Sequence, residues 1–284
     1  MRIIQLSDHP GEMLQAVRQQ RQTAEEQELA RYEQALAQHR AAVAAARGMR
    51  DEARTQRRWL AWLRGVCAVW AERGRAPSRP VFYRGATDQE EILTAGMVGE
   101  QLIANEFGRA FSDDWVLLRG YRNRSGEIDH LLLGPRGLFA MEVKHRNATV
   151  HVDGDDWQFD KYDRFGNLVE QGWITDRSGR SPSRQVNDSA DELQQFLNRR
   201  RQQIAIQRIV ILTHPQSELG THRNLTVSVA TSTEFVLDLV NGSLPMLQSA
   251  QLAVLQQLIE QDYRFHQTHK RSAGSGYRRN GAPR

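Results

Sequence analysis

Apolar positions early in the chain follow a helical rhythm. Leu29, Tyr32, Leu36, His39, Val43 and Ala46 recur at alternating spacings of three and four in an alanine-rich, highly charged background. This heptad-like stripe predicts a helix. Asp8 is placed to cap it, with Pro10 in the first turn, and Gly48 is expected to interrupt it. Trp59, Leu63, Val66 and Trp70 predict one face of a second amphipathic helix. The pair reads as a hairpin or as a coiled-coil-like device for self-association or for a protein partner.

Arg73 to Gly85, "RGRAPSRPVFYRG", is rich in Pro, Gly and Arg and reads as a linker. Helical spacing returns from about Glu90 to Phe111, and then the period shortens. Trp115–Tyr121, Glu127–Leu133 and Leu138–His145 predict three strands in succession. The polar stretch from Asp153 to Gly179 has room for one or two short strands and loops. Ser181-Pro182 is a strong helix start, and that helix should reach about Arg200, leaving Arg199-Arg200-Arg201 at its C-terminal end. Strands at Gln207–Thr213 and Leu225–Ala230, a short helix near Thr233–Val240 and a last helix over 244–266 complete the series.

This order predicts an α/β protein with a mixed sheet flanked by helices. It divides into a helical region (1–74), a linker (75–94), an α/β domain (95–242), a C-terminal helix (243–266) and a disordered basic tail (267–284). No apolar run reaches the about 18 residues of a membrane span, so no membrane partner is expected. The brief apolar start does not resemble a signal peptide, and the lone Cys67 leaves no disulfide framework or cysteine-rich zinc site. A cytoplasmic location follows as an expectation. The formal net charge of +4 permits a polyanionic partner without demanding one. Lysine occurs only at Lys144, Lys161 and Lys270, so a lysine inside a strand stands out.

That lysine lies in "GEIDHLLLGPRGLFAMEVKHR", where Glu127, Asp129, Glu142 and Lys144 interrupt a strongly apolar run. A turn at Pro135-Arg136 makes facing residues sum to 271, which sets Asp129 across from Glu142 and Glu127 across from Lys144. Opposed Cβ atoms lie roughly 4.5–5.5 Å apart. Two adjacent carboxylates resist joint ionisation, and a divalent cation resolves the conflict. Hard oxygen ligands suit Mg²⁺ or Mn²⁺. A neighbouring lysine can orient or help deprotonate a water, or stabilise charge on a phosphate. Ion pairing of Asp129 or Glu142 with Lys144 or an arginine accounts for the same residues without catalysis.

Glu100 shares a helical stripe with Ile103, Phe107 and Phe111, at the border of its buried face. Gln185 lines up with Ser189 and Phe196, where it would position a phosphate or the lysine unless it is merely solvated. His130 and His145 point away from the cluster and read as packing or surface residues. His214 and His222 lack zinc-site spacing. Arg119, Arg122, Arg124 and Arg146 are candidates to line an approach for phosphates.

Together, Gly99-Glu100, "EIDHLLLGPRGLFAMEVK" and "SPSRQ" resemble the nuclease-related domain family of the PD-(D/E)xK phosphodiesterase group, over roughly Ala95 to Val240. The resemblance implies a restriction-endonuclease-like core and a metal-dependent nuclease acting on nucleic acid, with DNA the expected substrate. It implies Asp129 and Glu142 as ligands of Mg²⁺ or Mn²⁺, the Val143 carbonyl as a third, and Lys144 as the catalytic lysine. Glu100 would support the metal and Gln185 would be the accessory residue. A non-catalytic nucleic-acid-binding or adaptor module on the same fold is the alternative.

Overall fold

The computed structural model describes residues 1–242 and 246–275. It divides into two units, Met1–Glu12 with Glu91–Arg284, and Met13–Glu90.

The larger unit is built on a six-stranded mixed sheet. Its strands are β1 (Arg2–Gln5), β2 (Val116–Arg122), β3 (Glu127–Gly134), β4 (Gly137–Lys144), β8 (Ile206–Leu212) and β10 (Ser228–Ala230), in the order β1-β2-β3-β4-β8-β10. β2, β3 and β4 are antiparallel neighbours, whereas β1 joins β2, β8 joins β4 and β10 joins β8 in parallel. A second sheet of β5 (Thr149–Asp153), β6 (Asp156–Tyr162), β7 (Leu168–Trp173) and β9 (Glu218–Arg223) has the order β7-β6-β5-β9. β6 and β7 are the one or two strands expected in the polar stretch from Asp153 to Gly179, whereas β5 precedes that stretch and β9 follows it. Trp157 is fully buried there, with its indole N–H donating to Ser183 Oγ at 3.1 Å.

Helices cover both faces of the main sheet, which is why its central strands read as nearly continuous apolar runs. Helix α4 (Pro182–Arg199) and helix α6 (Ser249–Ser275) bury Val186, Ala190, Leu193, Leu255 and Ile259 against Leu131, Leu133, Leu138 and Ala140. On the other face, α3 (Asp88–Ala110) and α5 (Thr233–Asn241) set Ile103, Phe107, Val236 and Val240 against Leu117, Leu132, Phe139, Met141 and Val143. The strand alternation of odd and even positions thus sorts side chains between two cores.

In the smaller unit, helix α1 (His9–Thr55) and helix α2 (Trp59–Gly74) form an antiparallel hairpin. Asp8 accepts from the Gly11 N–H at 3.3 Å at the start of α1, as the sequence predicts. Arg57, at φ 55°, makes the turn between the helices. A Cβ on Gly65 would lie 2.8 Å from Arg50 Cα, so glycine lets the two helices approach there. Val43 and Ala46 of the expected stripe are buried, as are Ala53, Gly65 and Val69. Thr87 and Glu90 exchange hydrogen bonds of 3.3 and 2.8 Å as a capping box for α3.

Several expectations need correction. Gly48 does not interrupt α1, because a single glycine costs a long helix only about 1 kcal/mol. In α2 the packed face is the small-residue one, with Gly65 and Val69, while Trp59, Leu63 and Trp70 face outward. β1, β5 and β9 were not foreseen, and α3 begins inside the expected linker. The last helix starts at Ser249 and continues to Ser275, so the expected tail from 267 opens as helix; its remainder, 276–284, and the 243–245 start of that helix lie outside the described residues. Among the described residues, no helix is long and apolar enough to cross a membrane.

Candidate active site

The β3–β4 hairpin has the expected register. Gly134 pairs with Gly137 around Pro135-Arg136, and pairing proceeds through Leu131↔Ala140 to His130↔Met141. Gly137, at φ 131°, takes up the misfit of a turn with proline at its first central position. The ladder stops at His130↔Met141, so Asp129 is not a ladder partner of Glu142. Instead Asp129 Oδ2 reaches across and accepts the Val143 backbone N–H at 2.7 Å. Glu127 does not meet Lys144 either. It is held by Arg122 and accepts from Ser7 Oγ at 3.1 Å.

Alternation nevertheless delivers Asp129, Glu142 and Lys144 to the sheet face that α4 covers. Lys144 Nζ donates to Glu142 Oε1 at 2.7 Å and to Gln185 Oε1 at 3.3 Å. Gln185 donates in turn to the Arg180 carbonyl at 2.9 Å. The glutamine is therefore buried and tied to the lysine rather than solvated. Ser181 makes this possible by capping α4, accepting from the Arg184 N–H at 3.5 Å, with Pro182 in the first turn.

Glu100 comes from α3, on the other face, and meets the cluster at the end of the sheet. A Cβ on Gly99 would lie 2.8 Å from both His145 Cβ and Thr213 Oγ1, so only glycine lets α3 settle so close to the end of β4. His130 is fully buried, and its Nε2 bonds the Glu100 carbonyl at 3.1 Å. Burial and the charge of Arg119 hold His130 down to about 4, so it stays neutral and pins the helix. Arg119 Nη2 lies 3.8 Å from Glu100 Oε2.

The electrostatics are those of crowded carboxylates. Burial, together with the charges of Glu142 and Glu100, pushes Asp129 well above the carboxylate range. Burial raises Glu142 despite Lys144 beside it. Glu100 is pushed up to about 7 by burial, opposed by Arg119 and reinforced by Glu127 and Glu142. Burial works to depress Lys144, but Glu142 and Asp129 outweigh it and hold the ammonium above its usual value.

A cavity of 920 Å³ opens over Asp129, Glu142 and Gln185. Arg122 and Arg124 line it as expected, joined by Arg177 and Arg180 from the loop before α4 and by Phe265 and His266 from α6. These last four could not be assigned from local sequence, since their loop and helix pattern says nothing about which strand end they overhang. Arg119 is engaged with Glu100 and Gln101, and Arg146 lies 4.0 Å over the Phe159 ring, so neither lines the cavity.

Among the described residues, no group of three or more His, Cys, Asp or Glu side chains is arranged to hold a metal ion. The smaller oxygen set of Asp129, Glu142 and a backbone carbonyl fits Mg²⁺, which takes one or two carboxylates and completes its shell with water and phosphate oxygens. The carboxylates' raised affinity for protons is what a cation would relieve.

A mixed sheet between helices, carrying a carboxylate pair and a lysine where its central hairpin opens, defines an α/β domain with an acid–lysine site. Residues 95–213 match the family model described as the nuclease-related domain, in agreement with the family the motifs suggest and with the PD-(D/E)xK superfamily. No curated protein and no solved structure matches the chain.

Proposed function

We propose that the domain is a metal-dependent nuclease that hydrolyses phosphodiester bonds in DNA. The observation that carries this reading is that Asp129, Glu142 and Gln185 line one cavity rimmed by arginines, with Lys144 bonded to both Glu142 and Gln185. Asp129, Glu142 and the Val143 carbonyl would hold Mg²⁺ or Mn²⁺, with Glu100 in support. The ion would neutralise the carboxylates and polarise a phosphate oxygen. Lys144 has three N–H donors, of which Glu142 and Gln185 take two. The third is left for a phosphate oxygen, where a fixed ammonium stabilises charge that develops during displacement. Gln185 keeps that ammonium aimed, and Arg122 and Arg124 supply the backbone contacts that make nucleic-acid binding salt-dependent. A cytoplasmic setting, with DNA at hand, accords with this role.

The test is cleavage of plasmid and linear DNA by the full chain with Mg²⁺ or Mn²⁺, and with EDTA. Metal-dependent cutting that disappears in Asp129→Asn and Lys144→Ala supports the reading. Cutting that survives both substitutions refutes it, as does salt-sensitive binding of DNA without any metal-dependent cleavage, which would identify a binding module instead.

A further inference from the structure

Helix α2 carries apolar residues around most of its circumference, a composition that normally marks a buried helix. Only one side is buried, through Gly65 and Val69 against α1. On the opposite side Trp59, Leu63 and Trp70 fall at helical spacing with Leu60 beside them, and Trp59, Leu60 and Trp70 are 67%, 63% and 75% exposed. Trp59 and Trp70 are eleven residues apart, which sets an indole at each end of a stripe about 16 Å long.

The charges around this stripe choose its partner. From Arg57 to Gly85 there are seven arginines and one acidic residue, Glu72, which pairs with Arg75 at 2.7 Å. Arg58, Arg64 and Arg73 are exposed on the helix or at its start. A second copy of the same helix would bring like charges together. A nucleic acid would meet the arginines but would not reward exposed leucines. An anionic phospholipid surface satisfies both features: tryptophan rings sit at headgroup depth, leucines enter the acyl boundary, and arginines meet phosphates. Such a helix lies in the interface, so the length required of a membrane span does not apply.

We propose that α2 docks this protein peripherally on anionic phospholipid bilayers. The proposal is independent of the nuclease reading.

The test is flotation of the full chain with vesicles of phosphatidylcholine alone or mixed with phosphatidylglycerol. The wild type is expected to float with the anionic vesicles only, and to release at high salt. The triple variant Trp59→Ser, Leu63→Ser, Trp70→Ser should stay at the bottom of the gradient while its circular dichroism and thermal unfolding match the wild type. The double variant Arg58→Glu, Arg64→Glu leaves the apolar stripe intact and should float at least tenfold less. Lys144→Ala should float like the wild type. Equal flotation with neutral vesicles, or none with either, overturns the proposal. So does a dimer in light scattering, or a DNA affinity, that the triple variant abolishes while the wild type ignores vesicles.

Discussion

Glu100→Gln isolates the electrostatic load carried by the site. In the folded chain the Glu100 carboxyl is pushed up to about 7 from an ordinary value of 4.5, chiefly by burial. A folded value above the unfolded one contributes stability that is fully present below the unfolded value and is lost as pH rises through the folded value. Applied to Glu100, linkage gives a loss of about 2.5 kcal/mol between about pH 5 and about pH 8. Glutamine keeps the shape and has no proton to lose, so the variant should lack this share of the slope. The Arg119 attraction acts only on the ionised carboxylate and is already contained in the value of about 7, so it adds no separate offset. Urea unfolding of both proteins in EDTA, at a series of pH values, measures it. The stability of Glu100→Gln should gain on the wild type steadily across that range. Parallel curves would refute the claim that burial holds this carboxyl above its ordinary value.

Four further substitutions probe other parts of the design. Lys144→Ala should lower metal-dependent cleavage by about 100-fold or more, as loss of a preorganised donor does elsewhere, with DNA binding in a gel-shift assay little changed. Gln185→Leu removes a contact worth about 1 kcal/mol to the lysine and should slow single-turnover cleavage roughly tenfold without weakening substrate binding. Gly99→Val places a side chain where His145 and Thr213 already stand, so thermal or urea unfolding should report a loss of about 1–3 kcal/mol. Tyr121→Phe deprives the buried Asp262 of its hydroxyl donor, and a similar loss should appear in urea.

What could be read in the sequence was whatever depends on short-range periodicity. The hairpin sum of 271, the buried stripe of Ile103, Phe107 and Phe111, and the Ser181 cap all follow from neighbours in the chain, and all are present. The point where the ladder stops was not legible, because it depends on Asp129 competing for the Val143 N–H. β1 escaped notice since four residues carry little pattern, and its pairing with β2 joins segments more than a hundred positions apart. The outward turn of Trp59 and Trp70 went against hydrophobicity itself: glycine and valine pack closer to α1 than tryptophan can. Phe265 and His266 reach the cavity only because α6 returns across β2 and β3.

The bond from Val143 to Asp129 bears on how the catalytic reading should be challenged. Truncating position 129 to alanine strips an acceptor from an amide deep in the sheet, so a dead enzyme would be equally well explained by a sprung hairpin. Asparagine retains the acceptor while discarding the charge. At this one position, the customary alanine scan asks the wrong question.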